Sequence, residues 1–483
     1  MHAIDARPEW SGFVVCREHF TNFPGACSGG ASGGTEVPLP TNVKGNGKTS
    51  AAVPNRIVTA GEIFADGTVI ELVTGSSQLS KPQLLFWDGR KAKIGPQVEH
   101  EGQIYEAAEM QASLYRAVRL PARRGTYHPA RRLFDEIGGL FDRHAGLSPA
   151  NCGLLAGFSI STWLRGHLAN VLNLAMCGLD EELGVDVLRL LHCVCRHPLL
   201  IGEITSAWFR KMPMQVAPTL LLNQQIMRPA LQNLVRASSH RGLHLPGSAG
   251  DVVDLYGAKA IFCGDDSVEE AFAENAITVH VAPSHSKTAP LDEKTVQSIA
   301  DEFQPRLLAY RLKALGTTNE VAVDVSHLSP SMQSRARILA SCFPTDAKLA
   351  GDAVQLLSPQ DEEVRRESAL RVDYAILKVL LGTIHEGKLH AVGVEELAQL
   401  VNSLLQSHGE LWAYGHETIG RLLASMTIER HRNGSGQRVL LDRRTSGCVH
   451  RQARVRGLLS EVDLKSDCPD CGDVATASPN GTV

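Results

Sequence analysis

The segment VLNLAMCGLDEELGVDVLRLLHCVC, residues 171–195, decides the fold prediction. Its first seven residues, apolar except for Asn173, are typical of a strand, and residues 187–195 continue as an apolar helix. Gly178 opens a turn between the two and Gly184 closes it. Strand, loop and helix in this order predict one unit of a parallel α/β sheet, with a loop at a helix amino terminus where backbone N–H groups can bind phosphate.

This loop has the context of a phosphate-binding loop without its residues. In a Walker A motif a Lys follows the second glycine and contacts the phosphates, and the next hydroxyl residue ligates magnesium. Val185 and Asp186 hold those two places, and residues 180–182 are all acidic. Three carboxylates at the phosphate position repel a nucleotide triphosphate. The sequence therefore predicts no cofactor; ATP and magnesium enter only if the substituted residues retain activity.

A second segment, PTLLLNQ at residues 218–224, resembles the form of a Walker B strand, an apolar run followed by two polar residues. Asn223 and Gln224 stand where an Asp-Glu pair is expected. Amides have nearly the shape of these acids, but they carry no charge for magnesium and cannot act as a general base. The alternative is an ordinary buried strand that ends in polar loop residues.

Two arginines follow the second strand. The guanidinium groups of Arg236 and Arg241 suit phosphate recognition, which makes them candidate anion-binding residues. The alternative is a solvated turn with structural salt bridges. A more obvious match, GNGKT at residues 45–49, ends like a Walker A motif, but no apolar strand precedes it and a polar linker is the better interpretation.

Composition bounds the class of protein. The 483 residues predict about three domains. With 43% hydrophobic and 21% charged residues the chain is neither disordered nor membrane-like overall, and its net charge of −4 restricts nucleic-acid binding to a local patch. The predicted parts are a flexible leader (1–55), a small mostly-β domain (56–120), an α/β core (121–315), a linker or helical extension (316–360), a C-terminal domain (361–459) that begins at the polar stretch 358–363, and a disordered tail (460–483).

The C-terminal domain combines a simple pattern with positive charge. Three amphipathic helices, at residues 372–386, 394–406 and 416–426, precede a predicted β-hairpin with a Gly-rich turn. The region from 421 to 456 holds nine arginines against two acidic residues, a density that predicts phosphate contacts with DNA. The predicted DNA-binding residues are Arg421, Arg430, Arg432, Arg438, Arg443, Arg444, Arg451 and Arg454. A protein-binding surface is the alternative.

The remaining motifs predict little chemistry. Cys468 and Cys471 form a lone CxxC, half a zinc site, and neither a second pair nor a suitably spaced His follows it, so no metal site is predicted. Eleven cysteines without a framework spacing are typical of an intracellular protein. The start of the chain lacks a signal-peptide pattern, and residues 153–179 are interrupted by Arg165 and His167, so we expect a cytoplasmic protein without a membrane span.

The order of these segments, from Arg131 to about Leu315, resembles the P-loop ATPases that accompany primases in plasmids, phages and other mobile elements. The three helices and hairpin resemble a winged helix, and the whole chain resembles a set of uncharacterised bacterial proteins. The resemblance implies a nucleotide-sensing Arg near residues 273–277, where this chain has none. It implies a non-hydrolysing protein that binds or scaffolds DNA or a replication or mobile-element complex. The alternatives are an active ATPase or helicase with substituted residues and a protein-binding adaptor or regulator.

Overall fold

The computed structural model describes most of the chain beyond the predicted leader. The described residues are 56–75, 81–127, 129–166, 168, 170–246, 252–264, 272, 276–316, 322–387, 389–434, 436–456, 458 and 468–472. The leader at 1–55, its GNGKT segment, and residues 273–275 of the predicted sensor segment lie outside this part of the chain.

The first described region is mostly β, as the sequence predicted. Two sheets form here. One is a four-stranded antiparallel sheet of order β2-β3-β4-β5, and the other is a three-stranded sheet of order β1-β7-β6 in which β1 is parallel to β7 and β6 is antiparallel to it. Gly67 and Gly89 have positive φ in the Asp-Gly turns that flank β3 and β4, a conformation that favours glycine. The elements are β1 (Arg56–Thr59), β2 (Gly61–Ile63), β3 (Val69–Val73), β4 (Gln83–Trp87), β5 (Ala92–Gly95), β6 (Gln97–His100), β7 (Gln103–Ala107) and a short helix α1 (Ala112–Ala117).

The central region contains a five-stranded parallel sheet, which confirms the predicted parallel α/β architecture. Its order is β14-β8-β13-β10-β9, and every adjacent pair is parallel. Its strands are β8 (Asn173–Cys177), β9 (Pro198–Ile201), β10 (Thr219–Asn223), β13 (Lys259–Cys263) and β14 (Ala276–His280). A small antiparallel pair, β11 (His244–Pro246) with β12 (Val252–Asp254), lies between β10 and β13 in the sequence.

Helices cover this sheet and bury its apolar strands. β8 and β13 are buried along their whole length. Nearly every residue of α3 (Pro149–Trp163) is buried as well, because other elements pack on several sides of this helix. The helices are α2 (Ala130–Ala145), α3 (Pro149–Trp163), α4 (Glu181–Val194), α5 (Ser206–Phe209), α6 (Pro229–Ala237) and α7 (Glu293–Leu315).

A buried ion cluster joins the β region to the central sheet. Glu71 of β3 is fully buried, with Arg196 Nη2 at 2.7 Å, His197 Nε2 at 2.8 Å and Arg311 Nε at 2.6 Å from its carboxylate oxygens. Burial alone would raise the pKa of the Glu71 carboxyl, but Arg196 and Arg311 hold it well below its usual range. The charged form of Glu71 is therefore held between two guanidinium groups in the interior.

The predicted linker or extension is helical where the structure describes it. Helices α8 (Pro330–Ser341), α9 (Ala347–Gln355) and α10 (Ser358–Leu370) follow α7, and the first two contribute buried residues to the main hydrophobic core. The polar stretch at 358–363 forms the start of α10. Asp361 is buried there, accepting hydrogen bonds from Ser329 N at 2.9 Å and Arg365 Nε at 2.7 Å.

The C-terminal region has a hydrophobic core of its own, formed by residues between Ala375 and Leu458. A three-stranded antiparallel sheet of order β15-β17-β16 packs with its helices. The sequence analysis missed β15 and α14, and the structure has a short helix, α15, in the tail that was predicted to be disordered. The elements are α11 (Val372–Glu386), β15 (Ala391–Gly393), α12 (Val394–Ser407), α13 (His416–Ser425), β16 (His431–Asn433), β17 (Gly436–Leu440), α14 (Arg443–Val455) and α15 (Pro469–Gly472).

Among the described residues, no helix combines the length and the apolar character that crossing a membrane requires.

Candidate functional site

The carboxyl edge of the parallel sheet is where a ligand is expected. In open α/β sheets ligands bind beyond the carboxyl ends of strands, where successive connections leave in opposite directions. β8 lies between β14 on one side and β13 on the other, and the chain leaves β8 for β9 at the far edge of the sheet. The loop after Cys177 therefore occupies the position at which a ligand is expected.

This loop is shorter than the sequence predicted, because α4 begins at Glu181 and only Gly178–Asp180 connect it to β8. Gly184, Val185 and Asp186 lie inside the helix, and Gly184 N donates to Asp180 O at 3.0 Å. Gly184 therefore does not close the turn. A Cβ at this position would lie 2.4 Å from the Phe262 ring of β13, so the glycine allows close packing of α4 on the sheet.

One backbone N–H group of the loop and one in the first turn of α4 have partners within the chain. The Asp180 carboxylate caps α4 by accepting from Leu183 N at 3.0 Å, which fills a place that a phosphate oxygen would occupy. Gly178 N donates to Cys263 O at 3.3 Å, and a Cβ on Gly178 would lie 2.5 Å from Val281 O. Gly178 is thus held closely between the carboxyl ends of β13 and β14.

The position expected for a magnesium ligand is also engaged within the chain. Asp186 pairs with Lys287 Nζ at 2.9 Å and with Arg189 Nη1 at 3.5 Å. Val185, which stands in the place of the phosphate-binding Lys, is partly buried in α4. Neither side chain offers a cation to a phosphate at this end of the helix.

The two amides after β10 differ in role. Asn223 Nδ2 donates to Glu181 Oε1 at 3.0 Å, so the end of β10 is linked directly to the start of α4. Gln224 is buried, accepts from Ile204 N at 2.8 Å and donates to Ile226 O at 2.9 Å. Of the two predicted site residues, only Asn223 contacts the loop region; Gln224 holds two backbone segments together.

The two candidate anion-binding arginines lie at the opposite edge of the sheet. Arg241 Nη2 donates to Arg165 O and Leu168 O, each at 3.1 Å, shortly before β8 begins. Arg236 is exposed in the last turn of α6, and Ser239 in the turn that follows accepts from Asn173 Nδ2, at the first residue of β8, at 2.9 Å. The structure therefore does not bring these arginines to the Gly178 loop.

In the C-terminal region seven of the eight predicted DNA-binding residues form two groups, the eighth, Arg421, lies on α13, and all eight side chains are exposed. The first group lines an open groove between the β16–β17 hairpin and helices α12 and α13, and it comprises Arg430, Arg432 and Arg438. Glu395, Glu396 and Glu417 line the same groove. Arg430 Nη1 donates to Gln437 Oε1 at 3.1 Å, and Arg421 on α13 contacts Thr418 Oγ1 at 3.3 Å.

The second group lies on α14, a helix that the sequence analysis missed. At ~100° per residue, Arg443, Arg444, Arg451 and Arg454 fall within about one third of its circumference. The opposite face is buried through residues such as Val449 and Ala453. The sequence carried a signal for this helix, since Asp442 caps it by accepting from Thr445 N at 2.8 Å.

Four side chains with metal-binding atoms meet beside α14. His385, His450, Cys468 and Cys471 place one ligand atom each within 4.8 Å of one another. The sequence analysis searched for partners only after the CxxC, whereas both histidines precede it. Cys471 is buried, although it belongs to the predicted disordered tail. His385, at the end of α11, has no diagnostic spacing to the CxxC, so only the fold identifies it.

Comparisons with known proteins give no family for the chain. No family model and no curated protein matches it. Among solved structures, the apo C-terminal region of NrS-1 has a TM-score of 0.35 and 10% identity, covering 77% of this chain and 97% of that one. Drosophila ORC bound to DNA has a TM-score of 0.16 and 13% identity, covering 70% and 94%. Cdc6p from Pyrobaculum aerophilum has a TM-score of 0.15 and 11% identity, covering 72% and 99%. Similarities this low do not establish a shared function.

Proposed function

We propose that the chain is a non-hydrolysing protein with a P-loop-like core that binds DNA through a C-terminal winged helix. The observation that carries the first half is the contact between Asn223 and Glu181, together with the Asp180 cap. The protein's own carboxylates and amide occupy the end of the sheet where phosphate and magnesium would be bound.

Physical chemistry opposes nucleotide binding at this edge. A triphosphate needs unpaired N–H groups at the helix start and a cation close by. Here it would have to displace the Asp180 carboxylate from Leu183 N and would then face the charges of Glu181 and Glu182 in the first turn. Asp180 and Glu181 contribute to the fold through their own hydrogen bonds, so displacing them also costs helix stability.

Calorimetry with ATP and magnesium tests this half of the proposal. We expect weak binding or none, with a dissociation constant above about 1 mM. A low micromolar dissociation constant that requires magnesium would support the active-ATPase alternative instead.

We also expect the double variant Val185→Lys, Asp186→Thr to show no ATP turnover, because Asn223 and Gln224 still supply no carboxylate for magnesium or for water activation. Clear turnover by that variant would contradict the assignment of these positions.

The second half is supported by the order of elements in the C-terminal region. Helix α11, strand β15, helices α12 and α13, and the β16–β17 hairpin follow one another as in a winged helix, with α13 in the place of the recognition helix and the hairpin as the wing. The exposed arginines of the hairpin could contact phosphates while α13 contacts base edges. Glu395 and Glu396 on α12 and Glu417 in the first turn of α13 oppose close approach of DNA to the groove, so we expect the contacts to come from the hairpin and from α13 beyond its first turn.

Binding of the full chain to duplex DNA over a range of salt concentrations tests this half. Each arginine–phosphate contact releases counterions, so affinity should fall steeply as salt rises. Substitutions on α13 should change sequence preference, whereas substitutions on the hairpin should weaken binding to all sequences alike. If the chain gives no gel shift with duplex or single-stranded DNA at low salt, the DNA-binding half of the proposal is overturned.

One observation favours the protein-binding alternative. Leu179, Trp208 and Ile226 follow the carboxyl ends of β8, β9 and β10, and they are 98%, 64% and 66% exposed. Large apolar side chains exposed at one edge of a sheet are typical of interaction surfaces. If DNA binding fails, a partner that docks on this edge is the better account of the protein.

A further inference from the structure

We propose that His385, His450, Cys468 and Cys471 form a structural zinc site in the C-terminal region. Their ligand atoms converge from three separate segments: His385 lies in the last turn of α11, His450 lies in α14, Cys468 directly precedes α15 and Cys471 lies within it. Two thiolates and two imidazoles are a donor set typical of tetrahedral zinc, whereas magnesium and calcium prefer oxygen ligands. The proposal does not depend on the function proposed above.

The distances fit a tetrahedral ion. Zn–S bonds of ~2.3 Å and Zn–N bonds of ~2.0 Å place ligand atoms about 3.3–3.8 Å apart. His450 Nε2 lies 3.3 Å from Cys468 Sγ and 3.4 Å from Cys471 Sγ. His385 Nε2 lies 3.2 Å from Cys471 Sγ and 3.1 Å from His450 Nε2. These four of the six edges of the ligand tetrahedron are slightly shorter than in a zinc complex, and the other two are no longer than 4.8 Å.

The surroundings of His450 orient it as a ligand. Its Nδ1 lies 2.8 Å from Ser446 O, an acceptor that fixes the proton on Nδ1 and leaves a lone pair on Nε2. That lone pair faces His385 Nε2 and both sulfurs, so three groups compete for a single acceptor. A cation among the four atoms would accept a lone pair from each of them, which hydrogen bonding alone cannot achieve.

A second layer of contacts holds the CxxC turn in place. Ser446 Oγ donates to Asp470 Oδ2 at 2.6 Å, and Arg454 Nη2 donates to Asp470 O at 2.6 Å. Cys471 N donates to Cys468 O at 3.0 Å, which closes the turn and points both sulfurs to the same side. Four protein ligands fill a tetrahedral coordination shell, so the site would be structural rather than catalytic. It would attach the CxxC segment to α11 and to the arginine-bearing helix α14.

Metal analysis of the full chain tests the site directly. Protein expressed with zinc and purified with a reductant should retain about one zinc per chain after desalting. Cobalt introduced after chelation should give the intense visible bands of tetrahedral thiolate coordination. Cys471→Ser should lower the zinc content about tenfold or more under the same desalting. Cys448→Ser is the matched control, because Cys448 is a partly buried thiol of the same region that contacts Thr427 Oγ1 at 3.6 Å instead of the cluster.

His385→Asn keeps the test informative if Cys471→Ser fails to fold. His385 is only partly buried, so its loss should leave the fold intact while the cobalt spectrum shifts and weakens. The proposal is overturned if wild-type protein carries no zinc and mass spectrometry finds a Cys468–Cys471 disulfide, which would make the pair redox-active. It is equally overturned if Cys448→Ser loses zinc as fully as Cys471→Ser, because the metal would then lie elsewhere.

Discussion

The central sheet and the C-terminal region use arginine in opposite ways. Arg196 and Arg311 are buried on either side of Glu71, where each guanidinium group balances the same carboxylate. On the hairpin and on α14 the arginines are exposed, and the acidic partner of Arg444 is an exposed surface residue, Glu429. The charges stabilise the fold in the first region, whereas in the second region they are available to a binding partner. Substitutions in the two regions should therefore affect different measurements.

The largest expected effect comes from the buried cluster. Glu71→Ala removes the carboxylate and leaves two buried guanidinium groups without their counter-charge, a loss that typically costs about 3–5 kcal/mol of unfolding free energy. The change should appear as a lower midpoint in chemical denaturation, with DNA binding unchanged under native conditions. Because the cluster joins β3 to the segments that carry Arg196 and Arg311, the β region should also become more accessible to proteolysis.

Glu106→Ala is the matched control for this variant. Glu106 pairs with Arg56 Nη1 at 2.6 Å, but the arginine side chain is 67% exposed. Exposed pairs contribute about 0–1 kcal/mol, so this variant should be nearly as stable as the wild type. Equal losses from both substitutions would mean that burial does not distinguish the two pairs, and the contrast between the regions would fail.

The next largest effect concerns the exposed arginines, whose substitution should change DNA binding rather than stability. Changing Arg430, Arg432 and Arg438 together to Ala should weaken DNA binding by about tenfold to a hundredfold and flatten its salt dependence, since up to three phosphate contacts are lost. Stability should change little, because these side chains are exposed. Arg443 and Arg451 on α14 provide the comparison. If their substitution weakens binding more than the hairpin triple does, α14 and not the hairpin is the DNA-binding element.

A smaller effect is a pH dependence of stability centred on Lys259. Burial lowers the pKa of this side chain to about 7, although its Nζ donates to Ser238 O at 3.1 Å. In the unfolded chain the group keeps its proton up to its ordinary pKa of 10.5. Between these values the unfolded state binds more protons, so stability should rise with pH, by at most about 1.4 kcal/mol per pH unit.

Comparison with Lys259→Met isolates this contribution. The variant should have a flatter stability curve between pH 7 and 8.5 in urea denaturation, because the methionine does not titrate. Buried thiols act in the opposite direction at higher pH, since burial raises the pKa of Cys195 to about 12, but they are common to both proteins and cancel in the difference. Parallel curves for the two proteins over this range would show that Lys259 is not titrating there.

The sequence predicted periodic structure better than it predicted sites. The strand segment at 171–177 and the helix after it could be recognised because burial imposes a largely hydrophobic pattern. The start of α4 could not, because Gly184 resembles a loop glycine until the fold shows the Phe262 ring against it. His385 and the CxxC are joined only by the packing of α11 beside α14, so no spacing rule could have paired them.

The smallest predicted effect tests whether the acidic residues of the loop stabilise the fold or affect ligand binding. Asp180→Ala should cost about 1 kcal/mol of unfolding free energy, because Leu183 N loses its capping acceptor at the start of α4. Glu182→Ala is the control, an exposed first-turn residue whose only general benefit is its charge near the helix amino terminus, worth about 0.3–1 kcal/mol. Each variant also removes a carboxylate from the edge where phosphate would approach. If Asp180→Ala gains ATP binding in calorimetry while Glu182→Ala does not, the cap is blocking a nucleotide site that the rest of the loop still preserves. If neither variant binds ATP and only Asp180→Ala is clearly destabilised, the Asp180 carboxylate stabilises the fold by capping α4. Its role is then structural, like that of the buried Glu71 carboxylate.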